Sequence, residues 1–277
     1  MSARGLLRMA WRELWQRPGL LLLAFWNVLL TSLVEYFFMS RLGPQIQPWL
    51  TRIGSSGSGL SGLWAMPSTL WVKIGLVNLT MLLIVLPFTL GGLYGGVSAA
   101  LGHGDRLQGF FRFFHFAVEN FWRSLAVMVG MLVVAGVIGL LAGAIALGLG
   151  LLAQSAAVST LLAILAVALT LGLAFLALAL VLYWLGAVYY GRTGVARALG
   201  AAIGWLRHDW WLGLRVALML FFGVILPALV VNGLATLVPV LGGLVSLVAE
   251  GVVMGMLATV AVLLNREVDR HQILPPL

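Results

Sequence analysis

Cysteine is absent from the 277 residues. Its absence removes disulfides, thiolate zinc sites, iron–sulfur ligation and cysteine nucleophiles. Charge is scarce as well: Asp, Glu, Lys and Arg make up 9% of the chain, against about 25% in soluble domains. The four histidines, His103, His115, His208 and His271, are scattered, with no pair at metal-ligand spacing. Neither a metal site nor a cofactor is expected from them. Lysine occurs once, at Lys73; the other fifteen basic residues are arginine, and the net charge is +8.

What the chain has in excess is apolar surface, with 62% of its residues hydrophobic. A soluble core of this length has no use for so much, whereas a bilayer solvates outward apolar faces itself. Six runs read as membrane spans of ~20 residues or more: 19–39, 71–96, 124–149, 157–189, 211–237 and 240–264. They leave short connections and no separate soluble domain. The expected fold is therefore all-α, a single polytopic membrane domain of six helices paired as three hairpins. The first apolar run follows Arg4, Arg8, Arg12 and Arg17 and ends without a small-residue cleavage site, so it reads as an uncleaved signal anchor. The stretch from Ser40 to Leu70 carries Pro44, Pro48, Pro67 and the tract from Gly54 to Gly59, and is expected to be a flexible loop. The third and fourth spans should turn at Gln154-Ser155. Pro275-Pro276 should stop any helix in the tail.

Orientation follows from the arginines. Thirteen of the sixteen basic residues fall at the two termini and in the 2–3 and 4–5 connections; Arg41, Arg52 and Lys73 lie on the other side. By the positive-inside rule both termini face the cytoplasm, in the inner membrane of a bacterium. The basic charge then points to anionic membrane lipids as partner, and nucleic acid is not an expected partner.

A basic amphipathic stretch running straight into an apolar one occurs three times, at Leu6–Leu30, Leu107–Val134 and Val195–Phe222. In the first, Arg4, Arg8, Arg12 and Gln16 recur every four residues, opposite Leu7, Trp11 and Leu14. In the second, Gln108, Arg112, His115, Glu119 and Arg123 oppose Leu107, Phe110, Phe111, Phe114, Val118 and Phe121. In the third, Val195, Leu199, Ile203, Leu206 and Trp210 form the apolar stripe, with Arg197 and Arg207 facing away. Such spacing puts one face on acyl chains and the other among headgroups. Arg8, Arg12, Arg112, Arg123, Arg197 and Arg207 are the candidate anionic-lipid contacts. The same collar is also the surface on which a membrane-protein partner or a second copy would dock.

The stretches Leu6-Leu7-Arg8-Met9-Ala10-Trp11-Arg12-Glu13-Leu14-Trp15 and Val195-Ala196-Arg197-Ala198-Leu199 open two of these hairpins. This layout, a short basic-aromatic helix entering a helical hairpin across six spans, resembles the membrane domain attached to some bacterial glycerophosphodiester phosphodiesterases. It is also similar to uncharacterised six-span inner-membrane proteins. The likeness covers nearly the whole chain and lies in layout rather than in a sharp motif. The phosphodiesterase domain would require a further soluble region, so the resemblance implies a membrane role and carries over no catalytic residue.

Glu250 lies near the middle of the sixth span. An ionised carboxylate there costs at least ~2.5 kcal/mol on insertion scales, so it must be hydrogen-bonded, paired, protonated or facing water. Asn27, Asn78 and Asn232 are its candidate partners inside spans. Glu35 and Lys73 fall at equal depth at the ends of the first two spans and are expected to form a structural pair. Gly91–Gly95, Gly139–Gly143 and Gly251–Gly255 have the small-xxx-small spacing of close helix crossings. Gly54-Ser55-Ser56-Gly57 matches the serine motif of rhomboid proteases, but no span supplies a histidine to activate the serine. His103, Asp105 and Glu119 are the only clustered acid–base groups, and His208-Asp209 reads as a solvated face. No catalytic site is expected. The sequence thus describes a non-enzymatic integral membrane protein acting through lipid or partner contacts. The alternative is a transporter or permease subunit for a hydrophobic or lipid-like cargo, with Glu250 in its cavity.

Overall fold

Lipid offers no partner to a backbone N–H or carbonyl, and a helix satisfies both within itself. The computed structural model describes residues 2–56, 67–102, 110–151, 156–235 and 239–270, and among these there are helices and no strands. In chain order they are α1 (Ala3–Gln16), α2 (Pro18–Ser56), α3 (Ser68–Gly102), α4 (Phe110–Glu119), α5 (Phe121–Leu151), α6 (Ala156–Tyr189), α7 (Val195–Ala235) and α8 (Pro239–Arg270). Six of them, α2, α3, α5, α6, α7 and α8, are long and apolar enough to cross a membrane. The protein is an all-α, multi-pass membrane protein. The expected turn at Gln154-Ser155, the residues His103, Asp105 and Leu107, and the tail prolines lie outside the described residues.

The buried side chains gather at the end of the bundle where the arginines are. Leu6, Ala10 and Leu14 of α1, Leu20, Leu23 and Ala24 of α2, and most residues of the stretches Leu93 to Leu101 of α3, Leu182 to Tyr189 of α6 and Met256 to Leu264 of α8 supply most of them. Toward the far end, large apolar side chains such as Leu140, Leu161, Leu234 and Leu244 are exposed. In water that exposure would be costly; in lipid it is not, because acyl chains are as apolar as leucine. The helix α8 is the hub, packing against α1, α2, α3, α6 and α7.

Close approach holds this end together. A Cβ added to Gly186 would meet the carbonyl oxygen of Ala261 on α8, and one at Gly130 would meet the Trp184 ring. The rings of Tyr183 and Trp205 stack at 5.0 Å, with planes 9° apart, joining α6 to α7. Trp184 Nε1 donates to the Val195 carbonyl at 2.9 Å. Arg17 Nη1 donates to the Ala100 carbonyl at 2.6 Å, placing a cation at the carbonyl end of α3, where the helix dipole favours it.

Two expectations are corrected. First, the stretch from Ser40 to Ser56 is not a loop: α2 continues through it with Pro44 and Pro48 inside. Side chains brace the turns around the prolines, with Gln45 Nε2 donating to the Arg41 carbonyl at 3.0 Å and Thr51 Oγ1 to the Gln47 carbonyl at 2.7 Å.

The segments that open each hairpin pack on the bundle mainly through residues beside the stripe of large apolar side chains, much of which stays outward. In α7 the buried residues are Ala198, Ala202 and Trp205, while Ile203 and Trp210 are exposed. In α1 the buried set is Ala3, Leu6, Ala10 and Leu14, with Trp11 exposed. In α4, Phe113 and Ala117 are buried, and Phe111 and Val118 are exposed. Small residues let the helix backbone approach the bundle, so each segment docks by its alanine side. The hairpin-opening stretch of α7 is set off from its span by non-helical backbone at Asp209.

The second correction concerns the glycine pairs: Gly91–Gly95 is a tight crossing, with added Cβ atoms 2.9 Å from Ser124 Oγ and 2.6 Å from Asn120 Nδ2 respectively. Gly139 and Gly143 have nothing within 4 Å, because they lie in the splayed half of α5.

This contrast is testable by thermal unfolding in detergent. Gly186→Ala forces α6 off α8 and should cost about 1–3 kcal/mol, the usual range for overpacking. Gly143→Ala should be neutral or slightly stabilising, by up to ~1 kcal/mol from helix propensity.

Candidate functional site

Where the helices begin to part, α2, α3, α7 and α8 enclose a cavity of about 360 Å³. Its size falls in the range of ligand pockets, ~300–1,000 Å³. Each wall is one helical stripe. From α2 come Asn27, Thr31 and Glu35, spaced by four, with Val28 and Ser32 beside them; from α8 come Glu250, Val253 and Met254. The α3 wall is Leu86, Thr89 and Leu90, and the α7 wall is Ile225, Ala228, Leu229 and Asn232.

The α3 and α7 walls share a local device. Val85-Leu86-Pro87 and Ile225-Leu226-Pro227 are the same pattern, and each follows a π-helical turn, Met81–Val85 and Phe221–Ile225. A mid-helix proline has no N–H to give, and its ring collides with the carbonyl four residues back. The wider π turn moves those carbonyls aside, with the Leu86 N–H bonding Met81 and the Leu226 N–H bonding Phe221. Such single wide turns are the usual way a helix absorbs this conflict. Both walls reach the cavity just past their bulge.

The polar chemistry is one-sided. Asn232 Nδ2 donates to Glu250 Oε1 at 3.1 Å. Asn232 Oδ1 is buried and has no hydrogen-bond partner. Asn27 is 5% exposed, and Thr31 Oγ1 donates to its backbone carbonyl at 2.9 Å. Two carboxylates, Glu35 and Glu250, open onto the space, and no basic side chain lines it among the described residues. The cavity is thus an apolar chamber with uncommitted acceptors on Glu35, Glu250 and Asn232. Among the described residues, no group of three or more His, Cys, Asp or Glu comes together that could hold a metal ion.

Of the residues singled out from sequence, the structure brings Glu250, Asn232, Asn27 and Glu35 to one chamber. Asn78 is elsewhere: exposed on α3, it donates to the Ile74 carbonyl of its own turn at 3.0 Å. The Glu35–Lys73 pair is not formed; Lys73 Nζ donates instead to Gln45 Oε1 at 2.8 Å. The continuation of α2 is the reason. It carries Gln45 about 15 Å beyond Glu35 along the helix axis, at 1.5 Å per residue, to the level of Lys73. Arg8, Arg12, Arg123, Arg197 and Arg207 are exposed at the basic end, and Arg112 is half-buried there. Thr31, Ser32, Thr89 and the Pro227 bulge were missed. The four-residue spacing of Asn27, Thr31 and Glu35 and the repeated Leu-Pro triplet were the signals available.

Comparison with protein-family models, with curated proteins and with solved structures found no match.

Asn232→Asp sets two carboxylates at hydrogen-bond distance. It should lower stability by about 1–3 kcal/mol through loss of a donor to a charged group, whereas Asn78→Asp, on an exposed surface, should be much milder. Parallel thermal melts of the two variants check this.

Proposed function

We propose that this is a non-enzymatic protein of the bacterial cytoplasmic membrane that works through lipid contacts, taking a lipid-like amphiphile into the chamber between α2, α3, α7 and α8. The arginine distribution supports both termini facing the cytoplasm. The observation that carries the reading is the chamber's composition: apolar walls closed by Glu250, Asn232 and Glu35. Apolar walls suit an acyl or other hydrophobic tail. The unsatisfied Asn232 Oδ1 and the two carboxylates call for hydrogen-bond donors, such as a hydroxyl or amine headgroup. An unpaired buried acceptor is costly at ~1–3 kcal/mol, and a donor headgroup removes that cost.

A second reading, a transporter or permease subunit for a hydrophobic or lipid-like cargo, is favoured by one specific observation. Two of the four walls are helices interrupted at a proline beside the chamber, and interrupted helices at mid-membrane sites are common in transporters. The two readings share the chamber and differ in whether its occupant moves across the membrane.

Native mass spectrometry of protein extracted in mild detergent tests the shared part. Wild type should retain a lipid-like adduct. Ala228→Trp, which fills the chamber, should lose most of it while remaining folded, and Glu250→Gln should weaken it. Equal retention in wild type and Ala228→Trp would sink the chamber as the binding site. Reconstitution in vesicles then separates binding from transport: movement of a donor-bearing amphiphile abolished by Glu250→Gln favours the transporter.

A further inference from the structure

A second hollow, of about 80 Å³, lies at the basic end between α3, the start of α5 and the end of α6. It has room for several waters or one compact tetrahedral group. Its lining includes Ser98, Asn120, Arg123, Tyr189 and Arg192, with Glu119 as the acidic member. Much of its polar wall is already committed. Ser98 Oγ donates to the Tyr189 carbonyl at 3.0 Å. Ser124 Oγ donates to the Asn120 carbonyl at 2.8 Å, which leaves the Tyr189 phenol to donate to Ser124 Oγ at 2.6 Å. Asn120 is 8% exposed; its Nδ2 gives one proton to the Phe116 carbonyl at 3.0 Å and keeps the other. Gly95 leaves space for that amide, since a Cβ there would lie 2.6 Å from Asn120 Nδ2.

Donors remain where acceptors are used up. The guanidiniums of Arg123 and Arg192 are exposed, and neither makes a hydrogen bond or ion pair with a described residue. Glu119 lies 3.8 Å from His115 Nε2 and makes no ion pair with either arginine. Arg192 is also the one non-glycine residue with positive φ among those described, at 50°. Glycine holds a left-handed turn without steric cost, and Gly191 is the residue just before it. An arginine in that conformation costs more than a glycine would, and such positions cluster at ligand sites.

We propose that this hollow binds a phosphoryl group, a phosphate mono- or diester held by Arg123 and Arg192 with the free Asn120 amide proton as third donor. Planar guanidinium forks match phosphate oxygens in pairs. The site stands apart from the chamber between α2, α3, α7 and α8 and does not rest on what that chamber binds. The group reaches it either as the headgroup of an anionic phospholipid or as free phosphate.

The test uses the full chain in phosphatidylcholine nanodiscs, with short-chain phosphatidic acid and inorganic phosphate as probes. Arg192→Gly removes the guanidinium and relieves the left-handed backbone, so its melting temperature should hold or rise. Its affinity for phosphatidic acid should fall about tenfold, the loss expected for a charge-assisted hydrogen bond, and Arg123→Gln should fall similarly. Arg215→Gln, at an exposed arginine that does not line the hollow, should change affinity by no more than about twofold, as an exposed charge does. With that pattern, competition by inorganic phosphate identifies a site for free phosphate, and its failure to compete identifies a headgroup site. Arg192→Gly binding like wild type, or losing no more than Arg215→Gln, would overturn the proposal and reduce the arginines to a diffuse basic surface.

Discussion

The contact on which the rest depends is the approach of α6 to α8 at Gly186, whose Cα faces the Ala261 carbonyl with no space for a side chain. Helices in lipid gain nothing by hiding leucine from acyl chains, so their association rests on close packing and on hydrogen bonds between helices. Around Gly186 both are dense. Asn265 Nδ2 reaches the Tyr183 carbonyl at 3.4 Å, Thr193 Oγ1 reaches the Ala187 carbonyl at 2.9 Å, and Tyr183 stacks on Trp205. The same end receives α1 and α4, whose small and aromatic residues dock between the spans. Beyond it the helices carry large exposed aliphatics and little that joins them, and they part.

That asymmetry creates the chamber. A bundle packed along its full length would have closed over Glu250; here α2, α3, α7 and α8 separate at the depth where their polar residues lie. The bulges before Pro87 and Pro227 add to the separation, because a wide turn shifts the rest of the helix relative to its neighbours. The chamber and the basic-end hollow are electrostatic opposites. One is an apolar space with acceptors at its wall; the other is a small polar space with guanidinium donors at its mouth. They are suited to different groups, and no described residue lines both.

Much of this was legible in the sequence. Six apolar runs, no cysteine and the clustering of arginine led to an all-α membrane fold, and Glu250 stood out because a carboxylate is rare at that depth. Asn232 was named among its partners and does donate to it. Other features were not legible. Pro44 and Pro48 beside a Gly-Ser tract look like a loop, yet a helix tolerates them once side chains brace its turns. Glu35 and Lys73 looked matched in depth only because α2 was taken to end near Met39. Nor does the apolar stripe of α7 reveal which side docks on the bundle: Ala198 and Ala202 make that contact because they are small.

The sequence by itself determined the solvent of this protein, the number of helices long enough to cross it and the end at which the positive charge gathers, since composition and apolar run length set all three. Only the tertiary structure decided which polar residues meet. Asn27 and Glu250 are more than two hundred positions apart, and Arg123, at the start of α5, lines one hollow with Arg192, in the turn after α6. Their meeting depends on which helix faces fit closely enough to pack, and that complementarity of shape between distant segments is not written in the periodicity of any one of them.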